Sequence, residues 1–146
     1  MKKHLLAALL LGAVFSARAQ AGTYSPAYYR NLELKQKPPT YAKQVRATLA
    51  YEVAHMKKFV VGSFAVQPRG GFAYSFANTA QYAHLMRCTF TVLFKNSANQ
   101  VLGKATGYAY AIAPGEKSSR DQVNIVALPP VGTAAGDIII NTVTAE

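Results

Sequence analysis

Between Met86 and Phe94 apolar and mostly polar residues alternate one by one, the period of a strand with a single buried face. Met86, Cys88, Phe90, Val92 and Phe94 fall on one side. Arg87, Thr89, Thr91 and Lys95 fall on the other, with Leu85 and Leu93 as apolar exceptions. The alternation stops at Asn96-Ser97-Ala98-Asn99-Gln100, a polar run suited to a hairpin, and resumes over Val101 to Ile112. There Leu102, Thr106, Tyr108, Tyr110 and Ile112 share a face, and Gly103, Ala105, Gly107, Ala109 and Ala111 make up the other. So small a face calls for close backbone approach, a bulge, or cover by larger neighbours. Phe59 to Val66, Phe72 to Asn78, Gln122 to Leu128 and Ile138 to Thr144 read as further strands. Pro68-Arg69-Gly70-Gly71, Pro114-Gly115 and Pro129-Pro130 with Gly132 separate them by turn chemistry. Six short strands predict an all-β domain over residues 58–146, a β-sandwich or a small barrel.

Upstream the pattern changes. Tyr41, Val45, Leu49, Val53 and Met56 recur at helical spacing, while Val45, Ala47, Leu49, Tyr51 and Val53 also alternate as a strand would. Length and the alanines at 42, 47, 50 and 54 favour the helix, and Pro39 supplies a start signal, so a helix is expected over 40–56. Residues 20–39, broken by Pro26, Pro38 and Pro39, read as an irregular lead-in. Residues 20–57 thus form a basic, Tyr-rich arm ahead of the β domain.

For the β domain, the length matches an immunoglobulin-like sandwich better than a barrel. Residues 59–128 also resemble the FxLyD-type domain, an immunoglobulin-like module of exported and membrane-tethered bacterial proteins. The resemblance rests on Val61-Gly62, Tyr74-Ser75-Phe76-Ala77-Asn78, Phe90-Thr91-Val92-Leu93-Phe94, Val101-Leu102-Gly103 and Ile112-Ala113-Pro114-Gly115-Glu116. Lys95 stands where that family has an acidic residue, and the longer 96–100 segment replaces a hairpin glycine. The resemblance implies a structural or interaction module and brings no catalytic residues.

The amino terminus predicts export. Lys2 and Lys3 precede an apolar run from Leu5 to Phe15, and Ala17-Arg18-Ala19 places small residues for cleavage before Gln20. The run is too short for a membrane span, and no cysteine follows it to accept a lipid. Residues 1–19 therefore read as a signal peptide, and the mature chain as periplasmic or secreted. Without them, 13 basic and 6 acidic residues leave a net charge of +7, of which residues 20–58 carry +5. Such a field attracts anionic polymers, and for an exported protein a cell-envelope polymer or a protein partner is a better match than nucleic acid. Tyr28, Tyr29, Arg30, Lys35, Lys37 and Tyr41 are the candidate contacts for that partner. The arm equally suits folding back over an edge strand.

Candidate chemistry is sparse. Cys88 is the sole cysteine and lies on the apolar face, where it acts as a small hydrophobe. His55 and His84 lack the spacing of a metal site, so no metal or cofactor is expected. Glu116 and Asp121, five apart after a Pro-Gly turn, read as surface charge, and no nucleophile elbow or phosphate loop is present. The expected function is non-catalytic binding. An alternative is a carbohydrate-binding module using exposed tyrosines, although Tyr74, Tyr108, Tyr110, Phe72 and Phe76 read first as core.

Overall fold

The computed structural model describes residues 25–146. The expected signal peptide, residues 1–19, and residues 20–24 of the expected arm lie outside these residues. The chain divides into two compact units, Met1–Pro38 and Pro39–Glu146.

The described part of the first unit is α1, Pro26–Lys35. The lead-in expected to be irregular is therefore helical here. Pro26 does not break α1 because it stands in its first turn, where no N–H is needed, and the Ser25 hydroxyl caps the Tyr28 N–H.

The second unit begins with α2, Pro39–Ala54, so the helical template prevails over strand alternation. Its inward stripe is Ala42, Val45, Leu49 and Glu52, continued by Met56 in a 3₁₀ turn over Met56–Phe59. Tyr41 and Val53, expected on that stripe, are 42% and 38% exposed. The contacts thus place α2 with the strands, whereas the sequence division assigns residues 20–57 to one arm.

The fold of this unit is mainly β, with two antiparallel sheets. Strands β1 (Val60–Val66) and β2 (Phe72–Asn78) form a hairpin. Strands β3 (Leu85–Lys95), β4 (Val101–Ile112), β5 (Val123–Ile125) and β6 (Ala135–Ala145) form the second sheet in the order β5-β4-β3-β6. The hairpin packs on this sheet through aromatic contacts, Phe76 on Phe90 at 4.6 Å between centroids and Phe64 on Phe94 at 5.8 Å. Two glycines let the layers approach. A Cβ on Gly62 would lie 2.6 Å from the Ile138 side chain, and one on Gly136 would lie 2.8 Å from Phe64. This two-layer packing is compatible with a β-sandwich.

The small face of β4 points inward. Cys88, Phe90 and Val92 stand opposite Ala109, Gly107 and Ala105, all buried. A Cβ on Gly107 would meet the Phe90 ring at 2.6 Å and clash with the Asn124 carbonyl, so the large ring occupies the room that the glycine leaves. Tyr108 and Tyr110 therefore lie on the outer face, contrary to their reading as core residues. Phe76 is fully buried, Tyr74 partly so, and Phe72 is 37% exposed.

The alternation in β3 fails at one point. Met86 is exposed and Leu85 is buried opposite Ile112, because the pairing with β6 slips by one residue between Leu85 and Arg87. On β4, Ala111 adopts a positive φ of 54° and is exposed rather than aligned with the small face.

Two buried polar groups fix the connection between hairpin and sheet. The Asn78 amide donates to the Ala83 and Ile112 carbonyls and accepts from the Ala80 N–H. The Glu52 carboxylate accepts the N–H groups of Gln81, Tyr82 and Ala83 at 2.7, 2.9 and 2.9 Å. Burial of this charge is offset by three charge-assisted hydrogen bonds.

Candidate functional site

Strand register assembles a continuous outer face on the four-stranded sheet. Asn124, Tyr108, Thr89 and Thr142 stand in one row across β5, β4, β3 and β6. The next row towards the β4 carboxyl end is Tyr110, Arg87 and Thr144, and the row on the other side is Thr106, Thr91 and Ile139. The period of two, with a one-residue slip of β6 between Thr142 and Ile140, puts all of them on the side away from the hairpin.

Tyr108 and Tyr110, two residues apart on β4, have ring centroids 6.1 Å apart with planes inclined at 42°. The Tyr110 hydroxyl donates to the Asp121 carbonyl at 3.0 Å, which fixes its ring at the sheet edge. The Arg87 guanidinium lies 4.6 Å from the Tyr108 ring centroid, a cation–π contact. Arg87, Tyr108 and Tyr110 together line a shallow depression of about 320 Å³. Beside it the Thr89 and Thr142 hydroxyls share a 2.6 Å hydrogen bond, and Asn141 donates to the Thr91 hydroxyl at 3.0 Å. The site thus offers two aromatic surfaces, one fixed cation and a field of hydroxyl groups. This set stacks on rings and hydrogen-bonds to hydroxylated ligands.

Asp121 supports this edge. The Ser119 hydroxyl donates to its carboxylate at 2.6 Å and holds the acid below the usual carboxylate range. Its ionised form is thereby kept in the turn whose carbonyl receives Tyr110.

The arm candidates divide between the two units. Tyr28, Tyr29, Arg30, Lys35 and Lys37 belong to the first and Tyr41 to the second. Tyr28 and Tyr29 are 43% and 38% exposed and meet edge to face at 5.6 Å. Lys35 and Lys37 are exposed beside the end of α1, where cations oppose the carbonyl ends of the helix. On α2 and its 3₁₀ turn Lys43, Arg46, Lys57 and Lys58 are exposed, while the acid of that segment, Glu52, is buried.

Burial pushes the Cys88 thiol above its usual value, against a smaller lowering by its backbone contact with Ala109. It stays neutral within the core. His84, Glu116 and Asp121 line none of the three clefts described for this structure, and no group of three metal-ligating side chains occurs among the described residues. No helix of the described residues is long and apolar enough to cross a membrane.

The sequence signal for the outer face is the pairing of Tyr108 and Tyr110 opposite a strip of Gly and Ala. Large residues opposite small ones do not by themselves say which side is buried. Phe90 decides it, by filling the space over Gly107. Comparison with family profiles, curated proteins and solved structures finds no match for the chain.

Proposed function

We propose that the chain is an exported, non-catalytic binding module with an immunoglobulin-like sandwich of the FxLyD kind, acting in the cell envelope or outside the cell. Its binding face is the outer side of the four-stranded sheet, and the ligand class that suits it is an envelope polysaccharide. The single observation behind this reading is the pair Tyr108 and Tyr110 on the outer face of β4, with Arg87 of the neighbouring β3 against the Tyr108 ring. Sugar rings present apolar C–H faces that stack on tyrosine, and their hydroxyls match the threonine and asparagine groups alongside. Arg87 adds preference for acidic sugars, because a guanidinium pairs with a carboxylate through two parallel hydrogen bonds.

Affinity electrophoresis of residues 20–146 in gels cast with neutral and uronate-containing polysaccharides tests the proposal. Retardation is expected in the acidic polymer, and the double substitution Tyr108→Ala with Tyr110→Ala should reduce affinity at least about tenfold, as loss of two stacking contacts implies. Retardation that survives the double substitution unchanged would remove the outer face from consideration.

A second reading draws on the exposed cations of both units. Lys35, Lys37, Lys43, Arg46, Lys57 and Lys58 have no exposed acid among them other than Glu33. They suit long-range attraction of an anionic partner, polymer or protein, ahead of contact at the tyrosine face.

A further inference from the structure

The largest of the three clefts lies on the opposite side of the second sheet from the tyrosine face, between β2 and β5. The two-stranded hairpin is narrower than the four-stranded sheet that it covers, and β1 and β2 lie chiefly over β6, β3 and β4. The β5 side is left as an open slot of about 670 Å³, within the range of small-molecule sites.

Chain order gives this slot two different ends. Strand β2 starts at the 67–71 turn with Phe72 and runs to Phe76, where mutual hydrogen bonds tie Phe76 to Ser118. From Ser118 the facing chain passes Arg120, then Val123 and Ile125 of β5, and reaches Leu128. Tyr74 and Arg120 thus lie towards the tied end, and Phe72 and Leu128 towards the turn. Val123 and Ile125 line the length between them.

Both ends carry an unmet requirement. The Tyr74 hydroxyl is shielded from solvent and has no hydrogen-bond partner among the described residues, and burial raises its pKa above the usual phenol value. A buried hydroxyl left in this way is costly, and a ligand oxygen in the slot that Tyr74 lines would satisfy it once a small turn of the ring uncovers the hydroxyl. Arg120 is exposed and has no carboxylate within ion-pairing distance among the described residues. At the other end Leu128 is 87% exposed and Phe72 37%. A phenol donor and a cation at one end, with an apolar trough leading to an apolar lip, match one kind of molecule.

We propose that this cleft binds a single-chain amphiphile with an anionic head, a fatty-acid carboxylate. The Tyr74 hydroxyl donates to one carboxylate oxygen and the flexible Arg120 side chain reaches the other. The acyl chain lies along Val123 and Ile125 to Phe72 and Leu128. This site is independent of the tyrosine face and stands or falls separately from it.

Isothermal titration of residues 20–146 with dodecanoate, dodecanol and dodecyltrimethylammonium, each below its aggregation limit, tests the assignment. One-to-one saturable binding of dodecanoate is expected, about tenfold weaker binding of dodecanol, and none of the cationic amphiphile. Tyr74→Phe should weaken dodecanoate binding about tenfold while its thermal unfolding midpoint without ligand is equal to or above that of the wild type. Arg120→Gln, an exposed change, should abolish the preference for carboxylate over alcohol. Absence of saturable binding, equal binding of all three amphiphiles, or binding indifferent to both substitutions would each overturn the proposal.

Discussion

Glu52 shows how one side chain can hold two parts of a fold together. It occupies a position on the inward stripe of α2 where spacing alone calls for an apolar residue, and it is 3% exposed. Its two oxygens take three consecutive backbone N–H groups from the chain between β2 and β3. Glu52→Ala takes the acceptor from three donors at once, that of Ala83 buried and those of Gln81 and Tyr82 partly so, and a buried donor left unsatisfied costs about 1–3 kcal/mol. Some of that loss is recovered where water reaches Gln81, which is exposed. The expected destabilisation is about 3 kcal/mol, read as a lower urea midpoint. Glu52→Gln keeps one acceptor oxygen and should fall between the two. A midpoint for Glu52→Ala equal to that of the wild type would mean that the carboxylate does not hold the segment. This role was partly visible in the sequence. Val45, Leu49, Glu52 and Met56 are spaced by four, three and four residues, so the acid lies on a helical stripe. The partners were not visible, because backbone donors some thirty residues away leave no mark in local spacing.

At the scale of elements, the strands were legible where side-chain size and period agree. The alternation from Cys88 to Phe94 matches the buried positions residue for residue. It was not legible at Met86, where a one-residue slip in the pairing with β6 exchanges the roles of Met86 and Leu85. Such a slip depends on the partner strand, and a strand read alone assumes perfect register. In β4 the tyrosines drew the core assignment because large aromatic residues are usually buried. The facing β3 strand reverses that, since Phe90 already fills the layer and leaves room only for Gly107. Gly107→Ala should therefore cost about 1–3 kcal/mol through overpacking against Phe90 and the Asn124 carbonyl, measured by denaturant unfolding. Pairing it with Phe90→Leu should return part of the loss, because the flexible leucine vacates the ring position. If the double variant is no more stable than the sum of the two single changes predicts, Phe90 is not the group that excludes the methyl. The orientation matters for function as well as stability. If Gly107 and Ala109 faced outward, Tyr108 and Tyr110 would lie in the core.

For the whole molecule, charge and binding surface are separable. Residues 20–146 carry +7, of which residues 20–58 hold +5, whereas the tyrosine face has Arg87 as its nearest fixed cation. Exposed charges separated by more than a Debye length, about 10 Å at about 0.1 M salt, are largely screened, whereas stacking on tyrosine is not. Co-sedimentation of residues 20–146 with isolated cell-envelope material should therefore show two components along a salt series. One falls as salt rises and should be lost on charge reversal at Lys35, Lys37, Lys43 and Arg46, residues exposed on α1, on α2 and at the link between them. The other persists at high salt and should disappear with Tyr108→Ala and Tyr110→Ala. Binding abolished entirely by salt would make the basic surface sufficient and leave the tyrosines without a role in retention. Binding indifferent to both salt and charge reversal would place all of the contact on the sheet. The combination expected here has a physical sense for the exported module proposed above. Diffuse positive charge raises the local concentration of an anionic polymer from a distance, and a small rigid face with fixed ring geometry selects among the polymers so collected.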